Sequence, residues 1–295
     1  LNRETEQFSA SSGRASYTET EKGITVKANG RTFVFSKKDG QLKDVSVNNR
    51  KISFANGPRF IGARRADRSL DQFYNHDDEK AKAKDRTYSE FTDAAVFTKL
   101  DVKEEGGNLI LTANYKLGNL DKAQWTIHPD GMATLDYTYN FSGVVDLMGI
   151  CFDYPEEQVL SKRWLGAGPY RVWQNRIHGT QYDIWENDYN DPIPGETFTY
   201  PEFKGYFGSV SWMSIRTKEG TISLTNETPD SYIGVYQPRD GRDRLLYTLP
   251  ESGISVLNVI PPVRNKVNST DLCGPSSQPK WVDGSQTGRL VIRFE

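Results

Sequence analysis

The sequence predicts an all-β protein, a large antiparallel β-sandwich, and three observations carry that expectation. Apolar and polar residues alternate in short runs. Asn-Gly, Asp-Gly and Gly-Gly steps separate the runs. No stretch bears a convincing apolar stripe at the helical period. The run "GITVKANGRTFVFSKKDGQLKDVSVNN" shows the pattern: Ile24, Val26 and Ala28 share one face, and the chain turns at Asn29-Gly30. Phe33 and Phe35 follow, then a turn at Asp39-Gly40, then Val45 and Val47. Such dipeptides supply the positive φ that tight hairpins require. "LDVKEEGGNLILTANY" turns at Gly106-Gly107. "QWTIHPDGMATLDYTYNF" turns at Pro129-Asp130-Gly131, after which Ala133, Leu135, Tyr137, Tyr139 and Phe141 alternate. "WMSIRTKEGTISLTNE" turns at Glu219-Gly220, and "GRLVIRFE" ends the chain with Leu290, Ile292 and Phe294 on one face.

Other segments read differently. "DEKAKAKDRTYSEF", 78–91, has helix-forming composition without an apolar face, so an exposed loop or short solvated helix is expected. The stretch from about 155 to 210 is rich in Pro, Gly, Trp and Tyr and alternates weakly. It reads as long ordered loops crossing one face of the sandwich. Residues 1–15 are polar and read as a linker or disordered end, leaving a single domain over 16–295.

Composition narrows the function. A net charge of −2 over 295 residues argues against nucleic acid, which calls for a basic surface. No apolar run approaches the length of a membrane span. The two cysteines, Cys151 and Cys273, lie far apart and match no metal spacing, so two buried free thiols are expected, with one disulfide as the alternative. Three scattered histidines, His76, His128 and His178, do not make a zinc site, and no cofactor is expected. Fifteen Tyr, 14 Phe and 6 Trp fit β-structure, and also fit sugar binding, where rings stack on pyranose C–H faces.

The most distinctive stretch is "LGAGPYRVWQNR", 165–176. Gly166, Gly168 and Pro169 read as a tight loop that needs free φ and then a fixed one. Arg176 reads as an ion-pair partner holding that loop. Tyr170 and Trp173 stand evenly between core plug and sugar-facing ring, as does Trp281, which follows Gly274, Pro275 and Pro279. Glu186, Asp188, Asp191, Glu196 and Glu202 lie in the same aromatic region, but sequence alone fixes no pair at glycosidase spacing. No nucleophile elbow, P-loop or dinucleotide fingerprint is present.

These residues resemble a known family. "WLGAGPYRVWQNR" is similar to the pattern G-x-G-P-x-E-N-Y-x-D-R of the C-terminal β-sandwich domain of family 2 glycoside hydrolases of the β-galactosidase type, matching Gly166, Gly168, Pro169 and Arg176. "VKANGRTFVFSKKDGQLKDVSVNNRKI" is similar to that domain's opening, "NGPRFIGARRADR" matches its Arg-Ala-Pro segment loosely, and "LCGPSSQPKW" falls at its Gly-rich loop and Trp. The likeness runs along nearly the whole chain. It implies a galactose-mutarotase-like supersandwich that is not catalytic alone, in a bacterial enzyme of carbohydrate metabolism. The catalytic TIM barrel would be a partner domain earlier in the same longer chain, with carbohydrate as the ligand. The resemblance also implies a sugar-site Trp, which by position is Trp281. Arg171-Val172-Trp173 replaces the family's Glu-Asn-Tyr, and Phe203-Lys204-Gly205 replaces its Glu-Asn-Gly. Those departures leave Glu202 and Lys204 as carbohydrate-binding candidates, with Lys204 suited to an acidic sugar. Two alternatives stand beside this reading. One is an independent aldose epimerase with a His acid and a Glu base, for which His178 and Glu202 are the candidates; His128 sits poorly, beside a turn. The other is a stand-alone carbohydrate-binding module. The compartment is not fixed by the sequence; export to a periplasm is compatible with it.

Overall fold

Two meanders begin the chain and lie in different sheets. The computed structural model describes residues 13–65, 88–188, 205–235, 250, 252–262 and 274–295. The first meander comprises β1 (Ser16–Glu19), β2 (Gly23–Ala28), β3 (Arg31–Ser36), β4 (Leu42–Val47) and β5 (Arg50–Ile52). The long β6 (Ala55–Arg65) and short β7 (Tyr88–Glu90) continue it. β8 (Val96–Glu105), β9 (Asn108–Lys116), β10 (Leu120–Ile127) and β11 (Ala133–Val145) form the second meander. The chain then crosses between sheets repeatedly. β12 (Leu147–Asp153), β15 (Phe207–Gly208), β18 (Tyr232–Val235) and β19 (Ile254–Val259) join the first sheet. β13 (Val159–Gly168), β14 (Gln181–Asp188), β16 (Trp212–Thr217), β17 (Thr221–Asn226) and β20 (Lys280–Phe294) join the second.

The first sheet runs β1-β2-β3-β4-β6-β12-β19-β18-β15, with β5 on β4 and β7 on β6. The second runs β14-β13-β16-β17-β20-β11-β10-β9-β8. Every named strand pair is antiparallel. Among the described residues the helical content is two single 3₁₀ turns, Glu156–Gln158 and Pro275–Ser277. The all-β sandwich expected from the turn pattern is the fold observed.

The hairpin turns fall where the dipeptides place them. Asn29 and Gly30 both adopt positive φ, 42° and 74°, as a two-residue hairpin demands. That turn also bridges the sheets, since the Asn29 side-chain amide donates to the Asp130 carbonyl at 2.9 Å. Gly131, at φ 86°, sits so close to Arg31 and the Ala28 carbonyl that a Cβ would collide with both.

Between the sheets lies an aromatic core. Phe294 meets Phe33 and Phe54 edge-on, and Phe54 stacks on Phe152 at 4.6 Å. Trp125 meets Phe35 and Phe152. A second cluster gathers Ile61, Ala63, Leu147, Cys151, Val172, Trp173, Tyr206, Leu257 and Ile260. Alternation assigns it to the opposite face of the first sheet: Phe60, Met148, Ile150 and Phe152 belong to the main core, while Ile61, Leu147 and Cys151 belong to the second. β12 and most of β19 are therefore buried on both faces, and their sequences read as continuous rather than alternating.

Two expectations need correction. Residues 88–90 of the stretch read as a loop or solvated helix form β7; residues 78–87 lie outside the described residues. The region 155–210 is not loop alone. It contains β13 and β14, which form the outer edge of the second sheet, while residues 169–180 supply the crossing segment that the composition predicts.

Candidate functional site

The site is built on the end of β13. Gly166 and Gly168 lie within this strand at ordinary strand φ rather than in a turn. Their role is close approach. A Cβ on Gly168 would overlap the indole of Trp185, and one on Gly166 would crowd the backbone of Gly208, Ser209 and Val210. The Trp185 indole N–H donates to the Gly166 carbonyl at 3.2 Å and the Gln181 carbonyl at 3.3 Å, which closes the ring over the glycines. Pro169 then turns the chain out of the sheet.

Beyond Pro169 the chain crosses the outer face of the first sheet. Val172 and Tyr206 exchange backbone hydrogen bonds at 2.7 and 2.8 Å. The Trp173 N–H donates to the Arg176 carbonyl and the Arg176 N–H donates to that of Trp173, so Gln174 and Asn175 form the tip of a hairpin. Arg176 is exposed and holds this turn through its backbone. Trp173 is 0% exposed, set edge-on against Tyr206 with centroids 5.7 Å apart. It is a core ring of the second cluster and presents no face to a ligand. Tyr170 is 42% exposed at the corner, and Arg171 is buried with its guanidinium 5.8 Å from the Phe207 ring centre.

The hairpin tip reaches the segment that carries Trp281. The Gln174 side-chain amide donates to the carbonyls of Ser276 at 2.9 Å and Gln278 at 2.6 Å. The Asn175 amide donates to the Ser277 hydroxyl at 3.2 Å, and the Gln174 backbone N–H donates to the Pro261 carbonyl. These bonds fasten the 3₁₀ turn Pro275–Ser277, three residues before β20 begins. Trp281 sits at the start of β20 opposite Val144 and is 70% exposed, a large ring held by its backbone and left uncovered. The 165–176 stretch and Trp281, far apart in sequence, are thus brought into one assembly. Gln174 and Asn175 make the connection, and sequence reasoning missed them. Two adjacent side-chain amides straight after a Trp were the available signal.

The other candidates are dispersed. Glu202, Lys204, Asp191, Glu196, His76 and Cys273 lie outside the described residues. Glu186 and Asp188 are exposed on β14, and His178 is exposed before it. The His128 Nε2 pairs with the Thr134 hydroxyl at 2.9 Å, and burial lowers its pKa below the ordinary histidine value. Cys151 is a free, buried thiol whose pKa burial pushes up to about 12, which makes it inert at neutral pH. Among the described residues no group of His, Cys, Asp or Glu is arranged to hold a metal, and no helix is long and apolar enough to cross a membrane.

The family model "Beta galactosidase small chain" matches residues 27–258. The chain belongs to the β-galactosidase small chain family. No curated protein matches it. Among solved structures, the galactose 1-epimerase of Lactobacillus acidophilus NCFM superposes with a TM-score of 0.50 at 10% identity, covering 96% of this chain and 99% of that one. The GalM/aldose epimerase homologue of C. elegans gives 0.39 at 9% identity over 95% and 99%. A galactose mutarotase-like protein of Lactobacillus casei ATCC 334 gives 0.38 at 11% over 95% and 100%. At these identities the first likeness establishes a shared fold: this β-galactosidase small chain domain is a galactose mutarotase-like supersandwich. Family and fold together support a carbohydrate-related role.

Proposed function

We propose that the chain is the accessory β-sandwich domain of a family 2 glycoside hydrolase, and that it presents Trp281 to a sugar site completed by a catalytic TIM barrel of the same longer protein. One observation carries this reading. Trp281 is 70% exposed, yet the segment leading to it is fixed by side-chain hydrogen bonds from the Gln174–Asn175 tip. An exposed indole on a fixed backbone gains little from packing within the domain, and a pyranose C–H face suits it. Tyr170, Glu202 and Lys204 complete the proposed carbohydrate contacts, and Trp173 supports the hairpin from beneath. The test is Trp281→Ala in the full-length enzyme. A fall in kcat/KM of about tenfold or more is expected, the scale of one lost stacking contact of about 1.4 kcal/mol, with the melting temperature nearly unchanged. A large melting shift with unchanged kinetics would return Trp281 to a structural role.

A second reading, an aldose epimerase acting alone, draws on the end-to-end fold match with the L. acidophilus galactose 1-epimerase. It needs a histidine acid and a glutamate base. His128 is engaged by Thr134, which leaves His178 with Glu202 as the pair to test. Polarimetry of galactose mutarotation by the isolated chain, and by His178→Ala and Glu202→Ala variants, separates the two readings.

A further inference from the structure

β6 is paired unevenly along one edge. Leu42 of β4 pairs with Gly57, and Glu90 of β7 pairs with Ala63, but no described strand occupies that edge between them. The Gly62 carbonyl accepts from the Phe91 N–H there. Backbone direction alternates along an antiparallel strand, so Phe60 turns its N–H and C=O to the same open edge. A cleft of about 520 Å³ opens at this gap, within the roughly 300–1,000 Å³ typical of small-molecule sites.

Its walls are aromatic. Phe60 and Phe91 both stack on Phe141, at 6.1 and 5.5 Å, and Phe97 meets Tyr115 edge-on at 5.9 Å. The β3–β4 turn forms the opposite wall: Gly40 lies so close to Phe97 and Ala113 that a Cβ would strike both. Most charges in the lining are already matched. Asp39 pairs with Lys43 at 2.8 Å, and Arg59 pairs with Asp153. The Asp93 carboxylate accepts the backbone N–H groups of Ala95, Asn119 and Leu120. Lys38 and Glu90 remain. They are exposed, of opposite sign, and their charged ends have no hydrogen-bond or ion-pair partner among the described residues. The cleft therefore offers ring surface, a cationic donor, an anionic acceptor and a peptide group unpaired among the described strands, and the one formal charge without a counter-ion, on Asp93, is held by three backbone N–H donors.

We propose that this cleft binds a neutral mono- or disaccharide, with a C–H face against the partly exposed Phe91 and Phe97 rings and hydroxyls bonded to Lys38, Glu90 and the Phe60 peptide. The choice of a sugar rests on the carbohydrate reading above, but the cleft shares no residue with the Gln174–Trp281 assembly. The test is titration of the isotope-labelled chain with lactose, cellobiose and maltose, with glycylphenylalanine in parallel, read by amide NMR. At least one sugar should move the Phe60, Glu90 and Thr92 signals saturably. Lys38→Ala and Glu90→Gln should each raise Kd about tenfold, near the low end of what a charged hydrogen bond contributes, with unfolding midpoints unchanged. Trp281→Ala should leave this binding intact. Saturable shifts with the dipeptide alone would overturn the proposal and mark the gap as a peptide slot. Sugar shifts confined to residues 170–182 and 281 would overturn it while leaving the accessory-domain reading standing. No saturable shift at the cleft with any of the sugars would also overturn it.

Discussion

Trp173 and Trp281 are joined through one hairpin and have opposite surroundings. Trp173 lies under Tyr206, Leu257 and Ile260, whereas Trp281 projects from the start of β20. Sequence placed both among the aromatic candidates and could not separate them, because Trp173 is covered by residues that follow it by more than thirty positions. The difference is measurable in the isolated chain. Trp173→Ala should cost about 3–5 kcal/mol, the range of a core Trp truncation. Trp281→Ala should stay within about 0.5 kcal/mol, as exposed substitutions do. Urea midpoints at constant m-value check both. His128 gives a pH signature. Its folded pKa is lowered by burial, so below about pH 6.5 the unfolded chain takes up a proton that the folded chain resists. The contribution is fully present above that pH and is lost as pH falls through the folded pKa. His128→Gln should flatten this part of the stability profile, measured as urea midpoints on either side of about pH 6.5.

At the scale of elements, strands with one buried face were legible and the others were not. β2, β3, β9 and β10 alternate, and their hairpins carry Gly at positive φ. β12 was hidden because both of its faces are covered, and β14 because it is an edge strand exposed almost throughout. β20 is legible only in its last residues: its first half is exposed and largely polar, with Gly284 at φ 100°, so alternation begins near Leu290. The glycines of 165–168 read as a turn because Gly-rich, Pro-ending stretches usually are one. Nothing local shows that the Trp185 indole lies over Gly168. That packing makes a prediction. Gly168→Ala should lower stability by about 1–3 kcal/mol through overpacking, seen as a drop in urea midpoint. The added methyl would also displace Trp185, changing its fluorescence. A strain-free outcome would mean that the ring moves aside at no cost.

The whole molecule is closed by its last strand. β20 lies in the middle of the second sheet, paired along β11 from Ala133 to Val145 on one side and with β17 on the other. Leu290, Ile292 and Phe294 enter the main core, where Phe294 touches rings from β3 and from the β5–β6 connection. β11 and β17 belong to successive passes of the chain between sheets, so without β20 the second sheet separates into two parts that share no other pairing. β1 is the opposite case, an edge strand with all four residues exposed and a single neighbour, β2. The two ends of the chain should therefore differ sharply in tolerance to truncation. Removing Lys280–Glu295 should abolish cooperative unfolding and amide dispersion, because core strands would lose their ladder on one side and unsatisfied backbone groups would be left in the interior. Removing residues 1–19 should leave a dispersed spectrum and a cooperative transition, with the midpoint lowered only slightly. Urea denaturation followed by circular dichroism, together with amide NMR of both truncations, checks the pair. Retained cooperativity without β20 would show that each part of the second sheet is held by the first sheet alone.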